Sequence, residues 1–317
     1  MGIVDSMDIS CKDLKSCIAQ SGIFIADIDR IWIEKNGVPG IGETLKQKMD
    51  MVGEGKIEGI MMFNGKLPLG IAWVEKVGHH YGNMVLHTIG DIEKEALIDG
   101  LWQSGALKEV LAELIHFSPT DDYREILLRK GFFENPRQRM ALDLRQTQVP
   151  ELAEVDPIIG FEDITVDKVP ISSPISMEAH KISKDQEHAP DLRSLDKRME
   201  LERMVFSGKY GPVVQPASQF ITLRGEPVGL CMVVEIPCWG IERVPWVFDV
   251  AVHPDYHGHG YGRLVFHKSM VELAKLGYEM IGLAVTLTNE SAIHLYESLG
   301  FFAVEPFTEF IKDDAIQ

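Results

Sequence analysis

Apolar residues along this chain fall into two rhythms, one with the period of a strand and one with the period of a helix. Residues 246–252, WVFDVAV, are β-branched and aromatic with hardly a polar interruption, which predicts a buried strand that Pro254 ends. From Tyr261 the rhythm changes. Phe266, Met270, Leu273 and Leu276 recur at three- and four-residue steps, with Lys275 in the last turn and Gly277 as the stop, so a helix is predicted. A strand near MIGLAVTL follows, then a helix over Ser291–Leu299 that gathers Ala292, Leu295, Tyr296 and Leu299 on one face. Upstream, the pattern predicts a strand near Phe161–Val169 and one or two helices over 172–204, interrupted near Pro190.

The pattern repeats. FNGKLPLGIAWVE (63–75) and LRGEPVGLCMVVE (223–235) both read as strand, tight turn and second strand, with the turns at Asn64-Gly65 and Arg224-Gly225. YREILLRKGFF (123–133) and AIHLYESLGFF (292–302) both read as a short amphipathic helix stopped by glycine, Gly131 or Gly300, and followed by two phenylalanines. Two landmarks in one order and at similar separation point to an internal duplication. The boundary falls in the polar, aperiodic stretch QTQVPELAEVDPIIG, 146–160.

A length of 317 residues suits two domains, and 45% hydrophobic with 25% charged residues is the profile of a soluble globular protein. The net charge of −17 argues against a nucleic-acid partner, which needs a basic surface, and permits a cationic acceptor. Cys11, Cys17, Cys231 and Cys238 form no CxxC pair and read as reduced, structural thiols. The start MGIVDSMDIS has neither a basic nor an apolar leader segment, and no apolar run approaches the roughly 20 residues a bilayer crossing needs. A cytoplasmic protein away from membranes, monomer or homodimer, is the expectation.

Between the strand 246–252 and the helix at Tyr261 lies HPDYHGHGYGRL, 253–264. Free amides and the positive dipole end at a helix start bind anions, and Gly258, Gly260 and Gly262 present no side chain to block a phosphate. The stretch matches neither the Walker loop, which needs a lysine here, nor the GxGxxG spacing of a dinucleotide fold. His253, His257 and His259 offer a metal alternative, and a plain glycine turn is a further one. No metal is assigned, because amides aimed at an anion are a poor setting for a dication.

With its flanks, the run V-x-V-H-P-D-Y-H-G-H-G-Y-G-R-L resembles the acetyl-CoA motif of the GCN5-related N-acetyltransferases, the GNAT family, [QR]-x-x-G-x-[GA] after a strand ending V-x-P. His257 stands at the Gln/Arg position, a departure, with Gly260 and Gly262 at the small positions. N-E-S-A-I-H-L-Y-E-S-L-G-F (289–301) resembles the family's second marker. The resemblance implies an α/β fold of two tandem domains, 1–148 and 158–317, each a splayed mixed sheet flanked by helices. It further implies acetyl-CoA as co-substrate. Val250, Ala251 and Val252 would pair with the pantetheine arm, and the amides of His257, Gly258, His259, Gly260, Tyr261, Gly262 and Arg263 would hold the pyrophosphate. Asn289, Ala292 and Tyr296 would complete the cofactor site. An amine would attack the thioester directly, with no acyl-enzyme. The oxyanion would meet an amide near Val250, and Tyr296 would protonate the leaving thiolate.

For the base, Asp249 and then Glu235 are the candidates; Glu242 reads as a surface acid. Strand alternation sets Asp249 on the face opposite Phe248 and Val250 unless a bulge re-aims it. Trp239, Trp246 and Phe248 either line an acceptor pocket or are plain core. Aligned on Gly131 and Gly300, the first half has Leu127 for Tyr296 and Thr120 for Asn289. It offers GDIEKEALIDG, with acids Asp91, Glu93, Glu95 and Asp99, where the second has its glycine loop. It is read as a degenerate partner that shapes an acceptor cleft or covers a sheet edge, as in tandem members such as the mycothiol synthases. The expected activity is N-acetylation of a small-molecule primary amine. A non-catalytic acyl-CoA sensor, another acyl group and a protein amine are the alternatives.

Overall fold

The computed structural model describes residues 8–36, 41–77, 81–90, 94–107, 113–117, 123–147, 149, 155–181 and 190–312. In chain order the elements are β1 (Ile9–Asp13), α1 (Gly22–Asn36), α2 (Gly42–Gly53), β2 (Glu58–Asn64), β3 (Leu67–Val77), β4 (Tyr81–Thr88), α3 (Lys94–Gln103), β5 (Glu113–Phe117), α4 (Arg124–Arg129) and β6 (Phe133–Asp143). There follow β7 (Ile159–Asp163), α5 (Val169–Lys181), α6 (Leu195–Phe206), β8 (Gln219–Leu223), β9 (Glu226–Cys238), β10 (Ile241–Val252), α7 (Tyr261–Lys275), β11 (Met280–Thr286), α8 (Glu290–Ser298) and β12 (Phe302–Lys312). The strand expected to reach Val169 stops at Asp163, and Val169 begins α5. Among the described residues no helix is long and apolar enough to cross a membrane.

The chain forms two compact units, Met1–Asn135 with Thr308–Gln317, and Pro136–Phe307. Each has a mixed sheet built on one plan. In the first, β1, β2, β3 and β4 pair antiparallel, β4 pairs parallel with β5, and the end of β12 pairs antiparallel with β5 through Glu309–Lys312. In the second, β7, β8, β9 and β10 pair antiparallel, β10 pairs parallel with β11, and β6 pairs antiparallel with β11 from Arg137 to Asp143. The last strand of each sequence half therefore completes the other half's sheet. Met140 and Leu142 of β6 enter the second unit's core, and Phe310 of β12 enters the first's. The compact units thus divide the chain differently from the linker-based boundaries 1–148 and 158–317.

The duplication extends to small irregularities. Leu69 is the extra residue of a bulge between β2 and β3, and Val228 is the extra residue at the matching place between β8 and β9. The glycine after each bulge has a steric cause: a Cβ on Gly70 would meet Thr88 Cγ2 at 2.9 Å, and one on Gly229 would meet Ala251 O at 2.8 Å. The hairpin turns differ. Arg224 and Gly225, both at positive φ, form the second turn as expected, whereas Gly65 and Lys66 form the first, one residue later than Asn64-Gly65. Gly131 and Gly300 end α4 and α8 at φ 83° and 95°.

Candidate active site

In the second unit, the β10–β11 ladder holds only at Trp246–Gly282 and Val247–Leu283, although both strands run on to Val252 and Thr286. The sheet forks there, and the main chain of Val250, Ala251 and Val252 borders the gap. Past Val252 the chain turns through Pro254–Tyr256 and enters α7 with Gly260 as N-cap at φ 80°. Gly258 also sits at φ 80°, and a Cβ built on either glycine meets nothing within 4 Å. No side chain caps α7, so the amides of Tyr261, Gly262 and Arg263 start the helix without a side-chain acceptor. These are the features an anionic diphosphate requires, and they fit the cofactor assigned to them.

The three loop histidines turn to the backbone. The His257 ring donates from Nε2 to Val252 O at 2.6 Å, and the His259 ring from Nδ1 to His257 O at 2.9 Å. His253 Nδ1 accepts from the Asp255 amide at 3.3 Å. His259 also stacks on Tyr261, with centroids 5.6 Å apart. Among the described residues no cluster of three metal-ligating side chains forms. Arg263 donates to Ser298 at 2.5 Å, tying the start of α7 to the end of α8.

Asn289 caps α8 by accepting from the Ala292 amide at 3.2 Å. One turn on, the half-buried Tyr296 packs its ring on Phe266 and Phe301, at centroid distances of 5.7 and 5.9 Å. In the first unit Leu127 is fully buried at the place of Tyr296. Its helix α3 starts at Lys94, and Glu95 and Asp99 pair with Arg129 and Lys130. Asp91, Glu93 and Thr120 lie outside the described residues.

A bulge does re-aim Asp249. Val247 pairs with Val233 and Asp249 with Met232, leaving Phe248 as the extra residue. Phe248 and Asp249 consequently share the face covered by α5 and α6, while Val247 and Val250 pack on the α7 side. Trp246 and Phe248 lie partly buried on the α5–α6 face, with Tyr210 5.6 Å from Phe248. Trp239 packs 5.7 Å from Trp246, at φ 51°, with its buried indole nitrogen unbonded.

The Asp249 carboxylate is 3% exposed and has three donors. Ser176 Oγ and Arg198 Nη2 each reach Oδ2 at 2.6 Å, and His180 Nε2 reaches Oδ1 at 2.9 Å. Arg198 also binds Asp191 at 2.7 Å and Glu202 at 3.0 Å, and Ser172 donates to Glu202. Burial pushes the Asp249 carboxyl up, but Arg198, His180 and Ser176 together hold it well below the usual carboxylate range. Burial pushes Glu202 up.

Glu235 does not join this group. Arg243, at 2.8 Å, and the Tyr278 hydroxyl bind it, and their hydrogen bonds hold its carboxyl below the ordinary value. It pairs with Pro245, five residues along β10 from Val250, or about 16 Å at the rise of a strand. Both expected bases are thus anions held by cations, and Glu235 stands apart from the fork. Sequence reasoning missed Ser176, His180 and Arg198. The signal was the polar spacing Ser172, Ser176, His180, one residue per turn of α5.

Residues 182–301 match the model of the acetyltransferase (GNAT) family. The [ribosomal protein bS18]-alanine N-acetyltransferase of Escherichia coli K12 is 46% identical over 55 residues, 17% of this chain and 37% of that protein. The match therefore spans little more than a third of the relative's length. A GCN5-related N-acetyltransferase from Sphaerobacter thermophilus superposes with a TM-score of 0.61 at 14% identity, over 96% of this chain and 95% of the other. A tandem GNAT protein from the clavulanic acid biosynthesis pathway gives a TM-score of 0.55 at 14% identity, over 96% and 98% of the two chains. At such identity these two likenesses concern the fold.

Proposed function

We propose that this chain, whose residues 182–301 match the model of the GNAT acetyltransferase family, is an acetyl-CoA-dependent N-acetyltransferase acting on a small-molecule primary amine. One observation carries the reading. The fork between β10 and β11 opens beside an uncapped, glycine-flanked helix start, so a slot and a diphosphate cradle adjoin in one unit.

Acetyl-CoA supplies the activated acetyl thioester. The amides of residues 257–263 hold its pyrophosphate, and the main chain of Val250–Val252 lines the pantetheine path. Asn289 and Ala292 order the start of α8, and so the placement of Tyr296. An amide near Val250 steadies the oxyanion as the amine nitrogen bonds to the acyl carbon and the carbon–sulfur bond breaks. The Tyr296 hydroxyl gives its proton to the departing thiolate. Phe248, Trp246 and Tyr210 make the α5–α6 face apolar, which suits the organic part of a small amine.

A calorimetric titration with acetyl-CoA, followed by thiol release with a panel of primary amines, tests this. One equivalent bound and amine-dependent thiol release are expected. No binding sinks the transferase reading, and binding without release turns it toward an acyl-CoA sensor. Two equivalents would place a second cofactor site in the first half.

A further inference from the structure

On the side of the second unit's sheet turned away from α7, a cluster of polar and aromatic groups gathers over β11 and β6. Ile281, Leu283 and Val285 of β11 and Met140 and Leu142 of β6 pack in the α7 core. Alternation therefore turns Gly282, Ala284 and Arg139 to the opposite side. Ala284 pairs with Arg139 and follows Leu283, where the β10–β11 ladder ends, so the cluster lies at the root of the fork.

Gly282 has no room for a side chain: a Cβ there would meet Trp246 at 2.6 Å and Trp239 at 3.1 Å. Trp239 comes from the β9–β10 hairpin, whose turn Trp239-Gly240 has φ of 51° and 74°. Such a turn favours asparagine and glycine, so it does not account for a tryptophan. Ala284, the next residue on this side, is only partly covered. Beyond it Arg139 binds Glu305 Oε1 at 2.5 Å, with its guanidinium carbon 4.3 Å from the centre of the Phe307 ring. The Cys238 thiol, adjoining Trp239, lies in the field of both Arg139 and Glu305, so the hairpin tip and the ion pair come together. Glu305 is 8% exposed; its Oε2 has no partner among the described residues and still touches solvent. Trp239 Nε1 has no partner either, and it is sealed from solvent.

These two atoms are opposite in kind. A carboxylate oxygen only accepts a hydrogen bond, and an indole N–H only donates one. A hydroxyl answers both, whereas an ammonium answers only the first. A second cation is further disfavoured by the guanidinium already on Glu305 and by that of Arg137, 5.9 Å from the same Phe307 ring. We propose that Glu305 and Trp239 select the acceptor, and that the acceptor is a primary amine carrying hydroxyl groups. The proposal rests on the acetyltransferase reading above and names the substrate class of that site. With the amine at the fork, a hydroxyl donates to Glu305 Oε2, and a hydroxyl oxygen accepts from Trp239 Nε1. A turn of the Trp239 ring, a side-chain change of the kind common on binding, opens Nε1 to it. The Trp239 and Trp246 rings take the C–H surface of the molecule above the small-residue floor.

The test uses the full chain saturated with acetyl-CoA and reads thiol release from matched amines. The pairs are 2-amino-1,3-propanediol against 2-aminopropane and glucosamine against cyclohexylamine, with putrescine as a diamine. Corrected for each amine's neutral fraction, kcat/KM should favour the hydroxylated member about a hundredfold or more. Glu305→Gln keeps the shape and loses the charged acceptor, and should raise KM for hydroxylated amines about tenfold to a hundredfold. It should leave their kcat, the acetyl-CoA affinity and the rates on plain amines unchanged. Trp239→Phe keeps a ring and loses the N–H, and should narrow the hydroxyl preference about 2- to 12-fold. An equal loss on every amine in both variants makes the two residues structural and overturns the proposal. Preference for putrescine or a plain amine, or no turnover of any hydroxylated amine, overturns it too, while acetyl-CoA binding with thiol release on another amine leaves the acetyltransferase reading standing. A wild type that binds no acetyl-CoA overturns both.

Discussion

The ring of His257 closes the glycine loop onto its own strand, donating to Val252 O at 2.6 Å from five residues away. Where the family motif has glutamine or arginine, this chain uses a side chain that fastens the loop by its backbone. His257→Ala removes one hydrogen bond of about 0.5–1.5 kcal/mol, which should weaken acetyl-CoA binding about 2- to 12-fold in calorimetry. His257→Gln should recover part of it.

Gly260 combines a left-handed backbone with open space around its absent Cβ. A side chain there strains the turn by about 1–2 kcal/mol without a clash. Gly260→Glu should therefore leave the chain folded, as read by circular dichroism, and abolish acetyl-CoA binding, because the carboxylate stands where the diphosphate belongs. A variant with wild-type affinity would move the cofactor elsewhere.

Tyr296→Phe keeps the ring packed on Phe266 and Phe301. Thermal stability and cofactor affinity should hardly change, while kcat for acetyl transfer falls about 100-fold, the lower end of what a general acid contributes. An unchanged kcat would make Tyr296 a packing residue only.

Arg198 is 5% exposed and holds three carboxylates. Arg198→Met leaves buried anions unpaired and should cost about 3–5 kcal/mol in urea unfolding. Asp249, with its pKa depressed in the fold, contributes stability that is full above the ordinary aspartate value of about 3.9 and fades as the pH falls below it. Glu202, raised by burial, acts with the opposite sign. Unfolding free energies measured from pH 5 down to pH 2 should decline below about pH 4 for the wild type, and less steeply for Arg198→Met.

Gly229 has Ala251 O 2.8 Å from where a Cβ would stand. Gly229→Ala should force β9 and β10 apart at the fork, with a loss of about 1–3 kcal/mol seen as a lower Tm.

How much the sequence disclosed follows from how local each feature is. The strand WVFDVAV, the glycine loop and the helix from Tyr261 depend on neighbours within a few residues, and all were legible. The Phe248 bulge depends on pairing with β9, so alternation alone left the direction of Asp249 open. The cage around Asp249 joins α5, α6 and β10, brought together only by the fold. Its one sequence trace, the Ser172-Ser176-His180 stripe, is silent about what the stripe faces. The first hairpin turn slipped by one residue because its register is fixed across the strands, not by the Asn64-Gly65 pair.

The exchanged last strands bear on how this protein can be taken apart. A cut in the polar stretch between Asp143 and Ile159 would give two fragments that each carry a strand belonging to the other's sheet. The C-terminal piece, with its entire glycine loop, would lack the strand that pairs with β11 from Met280 to Thr286 and would offer that edge to any extended chain it met. The second half thus holds its whole glycine loop and yet lacks one strand of its own sheet, so its folding is tied to the chain that precedes it.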